Sequence, residues 1–133
     1  MNRPIKSEVA RTRCPLHLIP PVANILEATV LEHGRQIYGD LNWRISPSPL
    51  VDYIDACMRH LLCWLDGQDN DVHTGLSHLA HARANLGIAL DVASLAEQRL
   101  FQSPEFMGEA RNALDKVEEI LIAWEETKRQ TED

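Results

Sequence analysis

Cysteine, glycine and positive charge are all scarce in this chain, and each shortage removes a class of function. Its 133 residues include 3 cysteines, Cys14, Cys57 and Cys63. The number is odd and no CxxC spacing occurs, so the sequence carries neither a disulfide framework nor a zinc ribbon. Cys57 and Cys63 fall in an apolar stretch with helical spacing, where a thiol packs as a small hydrophobe, and buried reduced thiols are expected. The 6 glycines are scattered. Gly67 and Gly75 stand alone, and no glycine-rich phosphate loop or GxSxG elbow can be assembled from them. Lys and Arg total 13 against 20 Asp and Glu, a formal net charge of −7. Such a surface repels duplex nucleic acid and anionic membrane at long range, so neither is expected as a partner. No apolar run is long enough to span a bilayer, and no apolar stretch follows the basic N-terminus to make a signal peptide.

What is present is ordinary globular material: 44% hydrophobic and 25% charged residues. That is enough for one hydrophobic core. Residues 1–14 are polar and basic and read as a flexible arm. A single helical domain is expected over 15–128, with a frayed tail at 129–133. Pro20-Pro21 opens a first helix over about Val22 to Ile37, since proline fits the first helical turn. Its inner stripe reads Val22, Ile25, Leu26, Thr29, Val30 and Ile37. Gly39 to Pro49 is a loop. Leu50, Ile54, Cys57, Leu61 and Trp64 repeat at helical spacing and set a second helix over Leu50 to Leu65. An acid- and amide-rich turn follows. Thr74 or Ser77 then caps a third helix running toward Ala96. Ser103-Pro104 starts a fourth, whose Met107, Ala110, Leu114, Val117, Leu121 and Trp124 form an a/d seam. The expected fold is all-α, about four helices in a bundle, and the seam serves either the chain's own core or a homo-oligomer.

Chemistry-bearing residues gather between Tyr38 and Asn85. His78, His81 and Asn85 share one face of the third helix. Asp55 and Arg59 lie four apart on the second, followed by His60, and Asp69 and Asp71 sit on the connecting loop. Antiparallel packing of these helices would bring the groups together. Imidazole and carboxylate in one place suit a divalent metal that bridges phosphate oxygens, and Arg59 offers a guanidinium fork for phosphate. The plainer alternative has His78 and His81 bonding between helices and Asp55 pairing with Arg59 along one helix. Trp43, likewise, either stacks on a purine read by Asn42 or plugs the end of the bundle. No HExxH motif is present to decide for a metal.

Leu18-Ile19-Pro20-Pro21, Tyr38-Gly39-Asp40-Leu41-Asn42-Trp43-Arg44, Asp55 through Arg59-His60-Leu61, Asp66-Gly67, Asp71, Gly75-Leu76 and His78-Leu79-Ala80-His81 with Asn85 resemble the phage dATP/dGTP diphosphohydrolase N-terminal family. The likeness covers about residues 15 to 90. That family is grouped with MazG-like all-α pyrophosphohydrolases, which hold magnesium on helix carboxylates and split nucleoside triphosphates to monophosphate and pyrophosphate. The resemblance implies a metal-dependent purine (d)NTP pyrophosphohydrolase using Mg2+ or Mn2+ in the cytoplasm of an infected bacterial host. An alternative is an inactive protein that sequesters a nucleotide-derived host immune signal. Expected metal ligands are Asp55, His60, Asp71, His78 and His81, with Asp71 and His78 catalytic. Expected nucleotide contacts are Tyr38, Asn42, Trp43, Arg44, Arg59 and Asn85. Two positions depart from the family pattern: Ile37 replaces a lysine before the Tyr-Gly pair, and Gln68 replaces a glutamate. A MazG-like ExxE followed by ExxD is not evident either.

Overall fold

The computed structural model describes residues 3, 5–46, 48–94 and 108–132, and these are helical with no β-strand. Among the described residues there are six α-helices: α1 (Lys6–Ala10), α2 (Pro21–Tyr38), α3 (Asn42–Ile45), α4 (Leu50–Leu65), α5 (His78–Ala93) and α6 (Glu109–Glu132). Four of them are long, as the hydrophobic periodicity requires. The chain divides into two compact units, Met1–Arg99 and Leu100–Asp133.

In the first unit α5 is the central element, packed on both α4 and α2. Its sequence explains this position. Ala80, Ala82, Ala84 and Ala89 are all buried, and alanine combines high helix propensity with a slim profile that lets two neighbours approach. Ser77 caps the helix by accepting the Ala80 N–H. Thr74, the other candidate cap, faces His81 instead. The helices α4 and α5 are antiparallel: Leu50 at the start of α4 meets Ala89 and Val92 near the end of α5, while His60 late in α4 meets His78 at the start of α5. Trp43 and Tyr53 pack against the Leu50–Ala89–Val92 cluster.

The helix α2 differs from the sequence expectation in the face it turns inward. Val22, Ile25, Leu26 and Ile37 are exposed, whereas Ala23, Glu27, Val30, Leu31 and Gly34 are partly covered. A polar link orients the helix. Glu27 accepts from Arg83 Nε of α5 at 2.9 Å, and Arg83 Nη2 donates to Asn24 at 2.7 Å. This charge-assisted pair, with its part-buried carboxylate, ties the covered face of α2 to α5.

The Gly39–Pro49 segment contains a helical turn, α3, where a plain loop is expected. Gly39 has φ 90° and ends α2, and Leu41 has φ 48°. The second unit contains α6, which carries Leu114, Val117, Leu121 and Trp124 along one side, each about half exposed or more. It is helical through Glu132. Ser103, Pro104 and Met107 lie outside the described residues. All three cysteines are unpaired thiols: Cys57 is buried, Cys63 half-buried and Cys14 exposed. Among the described residues, no helix is long and apolar enough to cross a membrane.

Candidate functional site

The α4–α5 connection is built from its own side chains. Gly67, at φ 97°, turns the chain out of α4, and the Gln68 N–H bonds the Cys63 carbonyl. Asp71 Oδ1 then accepts two backbone N–H bonds, from His73 at 2.8 Å and Thr74 at 3.0 Å. This is the local turn that aspartate favours. The Asp71 N–H bonds the Leu76 carbonyl, and the His78 N–H bonds the Asp69 carbonyl, around an isolated antiparallel bridge between Asn70 and Ser77. The loop is therefore held at both ends and in the middle. It presents Gln68, Asp71 and Thr74 to the imidazoles of α4 and α5.

Three histidines meet there. The His60 and His78 Nδ1 atoms are 2.8 Å apart. The ring of His81 stacks on that of His60, with centroids 4.4 Å apart and planes 8° from parallel. His78 is 2% exposed and has its Nε2 2.6 Å from Gln68 Oε1. His81 Nε2 lies 2.7 Å from the Thr74 hydroxyl. Burial lowers the pKa of His60 below the ordinary imidazole value, and the neighbouring His81 and His78 reinforce the shift. Burial also lowers that of His81, against the opposing pull of Asp71. Both rings are thus neutral at neutral pH, with lone pairs to offer. For Asp71 burial pushes the pKa up, but the Thr74 and His73 N–H bonds outweigh it and leave the carboxyl below its usual range.

His60, Asp71 and His78 each bring a ligand atom within 4.8 Å of the others. Two imidazole nitrogens and one carboxylate fit a divalent ion of borderline softness, such as Fe2+ or Zn2+, and Mn2+ can accept the same mixed set. They fit Mg2+ poorly, because Mg2+ prefers an all-oxygen octahedron. Asp55 and Arg59 are exposed on α4, and Asp55 stands outside this three-residue group. His81 joins the cluster by stacking.

A cavity of about 500 Å³ is lined by Tyr38, Asn42, Asp52, Tyr53 and Asn85 among others. A second lobe of about 210 Å³ shares Tyr38, Asn42, Tyr53 and Asn85 with it and reaches His33 and His81. Small-molecule sites typically fall in the range of about 300–1,000 Å³. Asn85 Nδ2 donates to the His81 carbonyl. Trp43 forms part of the wall of the second lobe, and its indole N–H donates to Asp91 Oδ2 at 2.9 Å. The Arg44 guanidinium also faces Asp91, through Nε at 2.8 Å and Nη2 at 2.6 Å. Of the six residues expected to contact a nucleotide, Tyr38, Asn42, Trp43 and Asn85 therefore border the cavity, Arg44 is paired on α5, and Arg59 is exposed beside His60.

The family model for "dATP/dGTP diphosphohydrolase, N-terminal" matches residues 4–100. The chain belongs to this family. A relative described as "dATP/dGTP diphosphohydrolase", from Salmonella phage PMBT28, is 39% identical over 74 residues. That stretch is 56% of this chain and 25% of the relative, so the chain spans only about a quarter of the relative's length in the match. No solved structure matches.

Within this family member, three residues at the site escape a reading of motifs: Thr74, which reaches His81 from the connecting turn, and Asp52 and Tyr53, which line the cavity from the first turn of α4. Gln68 is visible in the sequence as a departure from the family pattern, which suggests a weakened metal ligand. The structure instead places it on the far side of His78 from His60.

Proposed function

We propose that the chain binds a purine nucleoside triphosphate in the two-lobed cavity and hydrolyses it to monophosphate and pyrophosphate. The observation that carries this reading is continuity. The cavity that could seat a nucleoside and the cluster that could hold a divalent ion meet at His81, which lines the second lobe and stacks on His60. The family match points in the same direction.

The base lies between Tyr53 and the Trp43 ring, and Asn42 and Asn85 face its polar edge. The phosphates extend toward the histidines. His60, Asp71 and His78 would hold the ion, which supplies Lewis-acid polarisation of the phosphoryl oxygens when bound. His78, with one nitrogen on Gln68 and the other facing His60, is fixed in place and suits holding rather than proton transfer. His81, neutral and bordering the cavity, takes the proton from water as the water oxygen bonds to the α-phosphorus. The α–β anhydride bond breaks and pyrophosphate leaves. Asp71, kept ionised, balances the charge that His81 acquires.

The test is incubation of the full chain with dATP and dGTP and Mn2+, followed by chromatography of free and protein-released nucleotide. Deoxynucleoside monophosphate with pyrophosphate is the expected result. Intact nucleotide recovered only after denaturing the protein would assign it to sequestration instead, and no binding would end the nucleotide reading.

A further inference from the structure

We propose that His60, His78 and Asp71 select a divalent transition-metal ion of the Mn2+ to Zn2+ series over Mg2+, and that Gln68 is a positioning residue that holds His78 in the ligating tautomer. The inference deepens the reading above and rests on it only in placing an ion at this cluster.

The argument begins at Gln68. Its Oε1 can only accept, and it lies 2.6 Å from His78 Nε2, so Nε2 carries the proton. In a neutral ring the other nitrogen, Nδ1, then presents a lone pair. That lone pair points at His60 Nδ1, 2.8 Å away. In the metal-free protein His60 Nδ1–H donates to it. Two nitrogens each bonded at about 2.0–2.1 Å to one ion sit about 3 Å apart, so the pair already has ligand spacing. On binding, the His60 proton moves from Nδ1 to Nε2, and the two lone pairs converge on the ion without a change in charge. Asp71 supplies the third donor. Both of its backbone N–H bonds fall on Oδ1, which fixes the carboxylate and leaves Oδ2 as the oxygen to ligate.

The donor set dictates the ion. Imidazole nitrogens match Fe2+, Co2+ and Zn2+ best, Mn2+ takes them together with a carboxylate, and Mg2+ holds its waters and asks for oxygen. A metal-bound histidine is oriented by an acceptor on its other nitrogen. Gln68 occupies that place, and a glutamate could fill it equally well. Glutamine rather than glutamate at position 68 thus sets the basicity of His78 and leaves the number of metal ligands unchanged.

The experiment is calorimetric titration of the metal-free full chain with Mn2+, Co2+, Zn2+ and Mg2+, together with the visible absorption of the Co2+ form. Mn2+ and Zn2+ should bind at least tenfold more tightly than Mg2+. The Co2+ band should be lost in His60→Ala and in Asp71→Asn, both at half-buried positions, with circular dichroism of each variant checking that its helices are retained; His78→Ala should behave alike if it folds. Gln68→Ala should weaken Co2+ binding by about 10- to 100-fold, and nitrogen NMR should show His78 losing its single Nε2–H form. Gln68→Glu should restore both. Mg2+ binding as tight as Mn2+, a Co2+ band indifferent to His60→Ala and Asp71→Asn, or wild-type Co2+ affinity in Gln68→Ala would each overturn the proposal. Ion binding as expected with no nucleotide turnover would overturn only the hydrolase reading.

Discussion

Glu27 Oε1 on α2 stands 2.6 Å from the point where the first side-chain atom of a residue at position 87 on α5 would lie. Gly87 leaves room for that carboxylate, which is the one that accepts from Arg83. Gly87→Ala should bring two opposing effects. Alanine favours the helix by about 1 kcal/mol over glycine, but Glu27 must turn away and weaken its part-buried pair. The net change should therefore be near zero or destabilising. In a Glu27→Ala background the same substitution should stabilise by up to about 1 kcal/mol. Urea midpoints of the four proteins measure this coupling, and an equal effect in both backgrounds would show that the contact is unimportant.

Asp91 ties α3 to α5 by accepting from Arg44 and Trp43. The Arg44 bond first, and then the Trp43 bond, hold its carboxyl below the ordinary aspartate range. A carboxyl depressed on folding binds fewer protons in the native state than in the unfolded one. Its stabilisation is complete above the unfolded pKa of about 3.9 and is lost as pH falls through the lower, folded value. Wild type should thus lose more stability between pH 5 and pH 3 than Asp91→Asn does. Because the Arg44 pair is partly exposed, Asp91→Asn at pH 7 should cost only about 1 kcal/mol. Chemical denaturation at each pH checks the sign.

Asn85 belongs to both lobes of the cavity and neighbours His81. Asn85→Leu keeps a helix-forming side chain of similar size but removes the polar face. It should weaken dATP and dGTP binding by at least about tenfold, or ~1.4 kcal/mol, with Co2+ binding unaltered. Equilibrium dialysis with labelled nucleotide would show whether it does. Unchanged nucleotide affinity would move the base out of this cavity.

Arg59 offers the exposed cation beside His60. Arg59→Ala should raise the dissociation constant for a triphosphate by about one to two orders of magnitude, since a charge-assisted contact is worth about 1.5–3 kcal/mol. The effect on a nucleoside should be negligible. Competition titrations with triphosphate and nucleoside separate the two, and an equal loss for both would argue against a phosphate contact.

Residue spacing alone determined the all-α class and placed the long helices. The second helix, Leu50–Leu65, has the bounds its apolar repeat sets, because i, i+3 and i+4 neighbours are fixed by the helix itself. The same local geometry put His78, His81 and Asn85 on one face. What the tertiary structure decided lies between elements. The face that α2 turns inward carries Glu27, which meets Arg83, a pairing 56 residues apart in sequence, rather than the apolar stripe of Val22, Ile25 and Leu26. Arg44, next to Trp43 in a motif that reads as a nucleotide contact, is turned to Asp91, a partner 47 residues away. Asp55 and His60 are five apart on one helix, yet only His60 faces α5, since five residues is well off a whole number of turns. The role of Gln68 also depended on the fold. In the sequence it is a glutamate lacking its charge. Only the antiparallel packing of α4 and α5, with the connecting turn folded back on Asp71, sets its carbonyl oxygen against the ring of His78.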